Sequence, residues 1–180
     1  QFYRWDRLAY LNDLHAKCKA DKFKIGIKLV RGAYMEKERA MAIKMNYKDP
    51  IQKDKLSTDN DFNKGIDFCI NNLNDLSICL GTHNEKSCLY LIDLMRVNNI
   101  DENDSRIYFA QLLGMSDHIS FNLSKESYNV AKYVPYGPIK EVMPYLLRRA
   151  QENTSVAGQT SRELSLISKE LKRRKLINRI

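Results

Sequence analysis

The stretch Lys24–Tyr34, KIGIKLVRGAY, alternates apolar residues with charged or small ones and then breaks into a glycine turn carrying Arg31 and Tyr34. On an extended chain Ile25, Ile27 and Leu29 share one face, and Lys28 points to the other. If the isoleucines and the leucine pack against helices, Lys28 points into the mouth of the fold. A buried cation there must be paired or set against something electron-rich. An exposed strand position, or a salt bridge to a neighbouring strand, accounts for the lysine equally well.

Working outward, three more strand-like runs follow: Leu76–Gly81, Ile107–Leu112 and Val130–Val134. An amphipathic helix is predicted before the first, over Tyr3–Ala20, with Leu8, Leu11 and Leu14 on one stripe. Helices are predicted between strands over Glu36–Met45, Thr58–Asn72 and Glu85–Asn98, with Asn84 as the N-cap of the last. The crossover Leu113–Tyr128 carries a weaker pattern, enough for a short helix. A helix follows from Pro138, which suits a first turn, whereas Pro144 should kink or restart it. A final helix is expected from about Ser161. Alternating strands and helices predict an α/β fold with parallel strands and right-handed crossovers. A dinucleotide-binding open sheet would show a GxGxxG turn, and the sequence has none. Half of a closed βα barrel of TIM type is the better reading, with its site at the carboxyl ends of the strands.

Composition narrows the function. The 180 residues are 43% hydrophobic and 29% charged, and the chain opens on Gln1, so it is expected to continue a longer protein. No apolar run approaches a membrane span and no signal-peptide pattern opens the chain. Cys18, Cys69, Cys79 and Cys88 form no CxxC pair, which reads as reduced thiols in a cytosolic-type compartment. His15, His83 and His118 share no metal-ligand spacing, so no metal site is expected. The net charge of +8 lies mostly in residues 161–180, with seven Lys or Arg against two Glu. No aromatic residues interleave with that tail, so nucleic acid is not the expected partner.

Three features carry chemistry. Gly32 permits close backbone approach to a ligand, although a turn glycine is often only a turn. His83, at a strand end, could donate to a ligand or serve as a structural histidine. Tyr145, Arg148, Arg149 and Glu152 fall on one helix face. Paired guanidinium forks suit a carboxylate; a solvated face of Arg–Glu pairs explains the same spacing.

KLVRGAYMEKER (28–39), GTHNEKS (81–87), YVPYGP (133–138) and YLLRRAQENTSV (145–156), in this order and spacing, resemble the proline dehydrogenase family. The resemblance runs from Gln1 to about Val156. It implies a βα barrel holding FAD at its mouth, with a last helix covering the substrate; this chain would supply the second half, about strands five to eight. By the same resemblance, Lys28 matches a basic residue at the flavin ring, and Val30 and Gly32 match backbone positions against the cofactor. Gln1 matches a glutamine at the flavin pyrimidine edge, His83 a histidine near the phosphate or ribitol region, and Thr58 a threonine near the adenosine half. Tyr34, Tyr133 and Tyr145 match tyrosines of the substrate pocket, and Arg148 and Arg149 match the pair that binds the proline carboxylate. Glu152 matches a glutamate that helps hold the last helix over the site. Lys28 and Arg31 exchange the two basic types relative to some members. A lysine and an aspartate that the family draws from earlier strands are not in this chain.

These residues lead to an expected flavoenzyme that oxidises L-proline to 1-pyrroline-5-carboxylate and hands electrons to a quinone. Residues 1–160 are expected to form the barrel half and 161–180 a basic helix. Leu164, Ile167 and Leu171, with Lys169, Lys172, Arg173, Arg174 and Lys175, suit peripheral contact with a membrane. The expected location is cytoplasmic or peripheral to the inner membrane, mitochondrial in a eukaryote. A flavin-free βα-barrel enzyme acting on a carboxylate, and a non-catalytic fragment, are the two rival readings.

Overall fold

Alternation along Lys24–Tyr34 does form a strand. In the computed structural model β1 (Ile25–Leu29) buries Leu29 and packs Ile25 and Ile27 against the core, while Gly26 and Lys28 are exposed on the opposite face. The model describes the backbone of residues 1–155 and 159–177, and side chains up to Arg149 and from Leu164 to Arg174.

The remaining elements follow as β–α units: α2 (Met35–Met45), α3 (Lys55–Asn71), β2 (Leu76–Gly81), α4 (Glu85–Val97), β3 (Ile107–Leu112), α5 (Asp117–Lys125) and β4 (Val130–Tyr133). α1 (Arg7–Ala20) precedes β1, and α6 (Ile139–Ser155) and α7 (Gln159–Ile177) close the described chain. All strand pairs are parallel and their order, β1-β2-β3-β4, never reverses. A doubly wound sheet would reverse at a switch point; this order has none.

One face of the sheet meets the helices. Leu29, Leu76, Ile78, Leu80, Ile107 and Phe109 join Phe62, Ile66 and Cys69 of α3 and Leu91 and Met95 of α4 in a single buried cluster. Each such side chain contributes about 1.5–3 kcal/mol on leaving water. We call the opposite face the inner face; it carries Gly26, Lys28, Ser77, Cys79, Gly81, Tyr108, Ala110, Leu112, Ala131 and Tyr133, as the register requires.

Several boundaries differ from the sequence reading for identifiable reasons. α1 starts at Arg7 rather than Tyr3 because Phe2 and Tyr3 donate their N–H groups to the carbonyls of Val30 and Arg31, just past the end of β1, at 2.9 and 2.7 Å. α3 starts earlier than Thr58 because Asp54 caps it, accepting from the Ser57 N–H at 2.7 Å. Asn84 caps α4 as expected, its side chain accepting from the Ser87 N–H. α6 is one helix with Pro144 inside it, so no restart occurs there.

The chain divides into two compact units, Gln1–Tyr133 and Val134–Ile180. The first holds the sheet and its core; the second holds α6 and α7.

Candidate functional site

Strand ends β1, β2 and β3 deliver a layer of polar side chains on the helix side. Arg31 is its hub. Its Nε donates to Asp59 on α3 at 2.6 Å, one terminal nitrogen to the Thr82 hydroxyl at 3.2 Å, and the other to the Ser87 hydroxyl at 2.9 Å. The guanidinium also lies 4.2 Å from the Phe62 ring centroid. Burial alone would raise the Asp59 carboxyl, but hydrogen bonds from Lys55 and Arg31 outweigh it and hold the pKa below its usual value.

The layer continues to His83. Thr82 accepts from the Asn84 N–H through its hydroxyl and from the Gln111 amide through its carbonyl. The Ser120 hydroxyl donates to the Gln111 side chain at 2.9 Å, and Ser116 meets His83 Nδ1 at 3.0 Å. Thr82, Ser87, Gln111, Ser116 and Ser120 are all buried. Buried polar groups that bond to one another in this way rigidify the turn they occupy. His83 is therefore held in place from both of its neighbouring strand ends.

On the inner face the arrangement is open. Lys28 is exposed and its ammonium lies 5.3 Å from the Tyr133 ring centroid. A Cβ at Gly81 would stand 3.0 Å from Lys28 Cε and 2.8 Å from a Val30 methyl, so the glycine makes room for the lysine stem. Burial raises the Cys79 thiol, and Lys28 pulls it back only in part.

The remaining positions are placed as follows. The Val30 carbonyl is taken by Phe2, and Gly32 has φ +102° with Tyr3 filling the space of its missing Cβ, 1.7 Å away. Gly32 is thus required by Tyr3 and by its own backbone, without any ligand. Gln1 brings its side-chain oxygen beside it, 3.1 Å from that same Cβ position. Tyr34 occupies the N-cap position of α2, and Thr58 is buried in the first turn of α3, its hydroxyl bonding back to the Asp54 carbonyl. In the second unit Arg149 stacks on Tyr145 at 4.8 Å along α6. Tyr145, Arg148 and Arg149 are half-buried there, while the Glu152 side chain lies outside the described residues. Leu164, Ile167 and Leu171 of α7 are each more than half exposed.

Sequence reasoning missed Arg31 as a brace, and it missed Gly81, Gln111 and Ser116. The partners of Arg31 lie far off in the chain, so spacing gives no sign of them. Gly81 did leave a signal, as the glycine ending a strand just before Thr82 and His83.

Comparison with known proteins bears on this geometry. The sequence model of the family described as "Proline dehydrogenase" matches residues 1–162. The chain belongs to the proline dehydrogenase family. It is 43% identical over 152 residues to proline dehydrogenase 1, mitochondrial, of Homo sapiens, covering 83% of this chain and 25% of that protein. It is 42% identical over 153 residues to a hydroxyproline dehydrogenase of Xenopus laevis, covering 83% of this chain and 33% of that one. The chain thus spans about a quarter to a third of the length of these relatives. A crystal structure of proline utilization A from Bdellovibrio bacteriovorus superposes with a TM-score of 0.81 at 24% identity, over 87% of this chain and 16% of that chain, a likeness of fold. Among the described residues no cluster of His, Cys, Asp or Glu is placed to hold a metal ion, and no helix is long and apolar enough to cross a membrane.

Proposed function

We propose that the protein containing this segment is a flavoenzyme that oxidises L-proline to 1-pyrroline-5-carboxylate, with residues 1–160 as the second half of its βα barrel. The observation that carries the reading is Lys28, a family-motif cation exposed on the inner face with Tyr133 beside its ammonium. FAD, when bound, supplies the acceptor for the hydride that leaves the ring carbon next to proline's nitrogen. The nitrogen gives up its proton, and the two electrons go on to a quinone.

The inner face suits a flat aromatic group. Gly81, Ala110 and Ala131 are register partners, so from β2 to β4 one rung of the sheet carries no side chain larger than a methyl. Beside that rung Lys28 sets a fixed positive charge where a reduced ring develops negative charge. In this reading Gln1, Val30, Gly32, Thr58 and His83 join Lys28 in holding FAD. Tyr34, Tyr133 and Tyr145 shape the substrate pocket, and Arg148 and Arg149 hold the carboxylate as paired forks. Glu152 helps to hold the last helix over the site. The exposed apolar stripe of α7, within the basic stretch 161–180, supports peripheral contact with a membrane carrying the quinone. The human relative's name supports a mitochondrial setting.

A second substrate reading rests on a specific observation: identity to the hydroxyproline dehydrogenase, 42%, is nearly as high as the 43% to the human proline enzyme. Dye reduction by the full-length protein with L-proline and with hydroxyproline, beside its flavin absorbance, separates the two. A colourless protein that reduces dye with neither substrate overturns the proposal. Arg149→Met should cost about 2–4 kcal/mol in kcat/KM for the substrate with FAD content kept. Unchanged kinetics would return the arginine pair to a solvated helix face.

A further inference from the structure

We infer that Tyr133 is a positioning residue for Lys28, fixing the ammonium over the inner face through its ring; the inference deepens the flavin reading above and rests on it. β1 and β4 are the two ends of the sheet, with β2 and β3 between them. Three interstrand spacings of about 4.8 Å separate such strands, roughly 14 Å in all. A lysine and a tyrosine bridge that width only by reaching towards each other along one face. Their register places both on the inner face.

Two features of the sheet let them meet. Lys28 leans towards the carboxyl end, because its Cε lies 3.0 Å from where a Gly81 Cβ would be. Beyond Gly81 the same rung continues with Ala110 of β3 and Ala131 of β4, so nothing larger than a methyl lies across it, and Tyr133 stands on the next rung, beside Leu112. The ammonium then stands 5.3 Å from the Tyr133 ring centroid, within the range of a cation–π contact. Lysine needs this help more than arginine does. Its charge is a point at the end of a flexible stem, with no planar fork to fix its direction. Tyr133 therefore acts on the flavin through Lys28, in addition to lining the substrate pocket.

The test reads Lys28 directly. Full-length protein, with and without added FAD, is acetylated at mildly alkaline pH, and Lys28 modification is followed by mass spectrometry, with exposed Lys64 as internal reference. Removing the ring in Tyr133→Leu releases the lysine tip from its contact and should speed Lys28 acetylation about two- to fivefold. Tyr133→Phe keeps the ring and should leave the rate unchanged. Gly81→Ala, which crowds the lysine stem from the other side, should raise the rate as well; it decides alone if Tyr133→Leu loses its circular dichroism. Lys28 acetylation at the wild-type rate in folded Tyr133→Leu, or in Gly81→Ala where that variant decides alone, overturns the inference. In the flavin-loaded protein, Tyr133→Leu should shift the flavin potential in the direction of Lys28→Met and add nothing to it in the double variant; independent, additive shifts also overturn it. If the full-length protein takes up no FAD, the flavin reading fails, while acetylation still decides whether Tyr133 holds Lys28.

Discussion

Arg31 and Lys28 leave the same strand end, yet their surroundings differ in kind. Arg31 turns to the helix side and spends its guanidinium on Asp59, Thr82 and Ser87, over the Phe62 ring. Lys28 leaves the opposite face, exposed, with a tyrosine ring near its tip. The difference follows from what each face already contains. The helix side offers separate acceptors in three directions, which a planar fork with five donors can meet and an ammonium on a flexible stem cannot. The inner face offers space and, near the lysine tip, the Tyr133 ring, and a point charge suits it. The two basic residues of KLVRGAY thus stand in separate settings, Arg31 in a braced layer and Lys28 on an open face.

The sharpest way to break this contrast is Arg31→Met, which leaves Asp59, Thr82 and Ser87 without their shared donor. Both members of the Arg31–Asp59 pair are largely shielded, with side chains 22% and 26% exposed. The variant should lose about 2–4 kcal/mol of stability, read by urea unfolding of the full-length protein. A loss below about 0.5 kcal/mol would place Arg31 among ordinary surface cations.

A smaller effect is expected from acid. Asp59 and Asp104 titrate below the usual carboxyl range when folded: Asp59 because its hydrogen bonds outweigh burial, Asp104 chiefly through its hydrogen bond from Arg106. A depressed folded pKa stabilises the protein above the unfolded value, about 3.9, and that stability is lost as pH falls through the folded pKa. Unfolding followed below about pH 4 should therefore show a loss, and Arg31→Met should show less of it because Asp59 no longer gains from its partner. Equal acid dependence in both proteins would mean that Arg31 does not set the Asp59 titration.

The smallest change in stability is expected from Lys28→Met, within about 0.5 kcal/mol. Its effect belongs to the ligand: FAD retention on gel filtration should fall while urea unfolding of the flavin-free protein stays put. A stability loss as large as that of Arg31→Met would erase the contrast between the faces.

Much of the fold was legible because alternation is a local signal. Ile25, Ile27 and Leu29 declared β1, Leu76–Gly81 and Ile107–Leu112 are strands over the expected residues, and Asn84 announced α4. Local pattern failed where partners come from far along the chain. Tyr3 read as helix, but its N–H bonds to the Arg31 carbonyl in the loop after β1. α5 was faint because it is short and entered through Ser116 in the left-handed region. Lys28 stood out in the sequence because it alternates with Ile27 and Leu29, and His83 because it follows a strand. The bracing of His83 did not, since Gln111, Ser116 and Ser120 are ordinary residues that matter only once β2 and β3 lie side by side.

The strand register also carries an assembly order. Residue 109 pairs with 130, 78 with 107, and 25 with 76, so the chain that must be closed lengthens steadily from β3–β4 to β1–β2. Each doubling of a closed loop costs about 0.6 kcal/mol in chain entropy, and the widest closure is more than twice the narrowest. Chain entropy therefore favours zipping from the carboxyl end of the sheet, with β1, which carries Lys28, docking last. Pulsed hydrogen exchange during refolding should find amides of Ile107–Leu112 protected before those of Ile25–Leu29, and simultaneous protection would contradict that order.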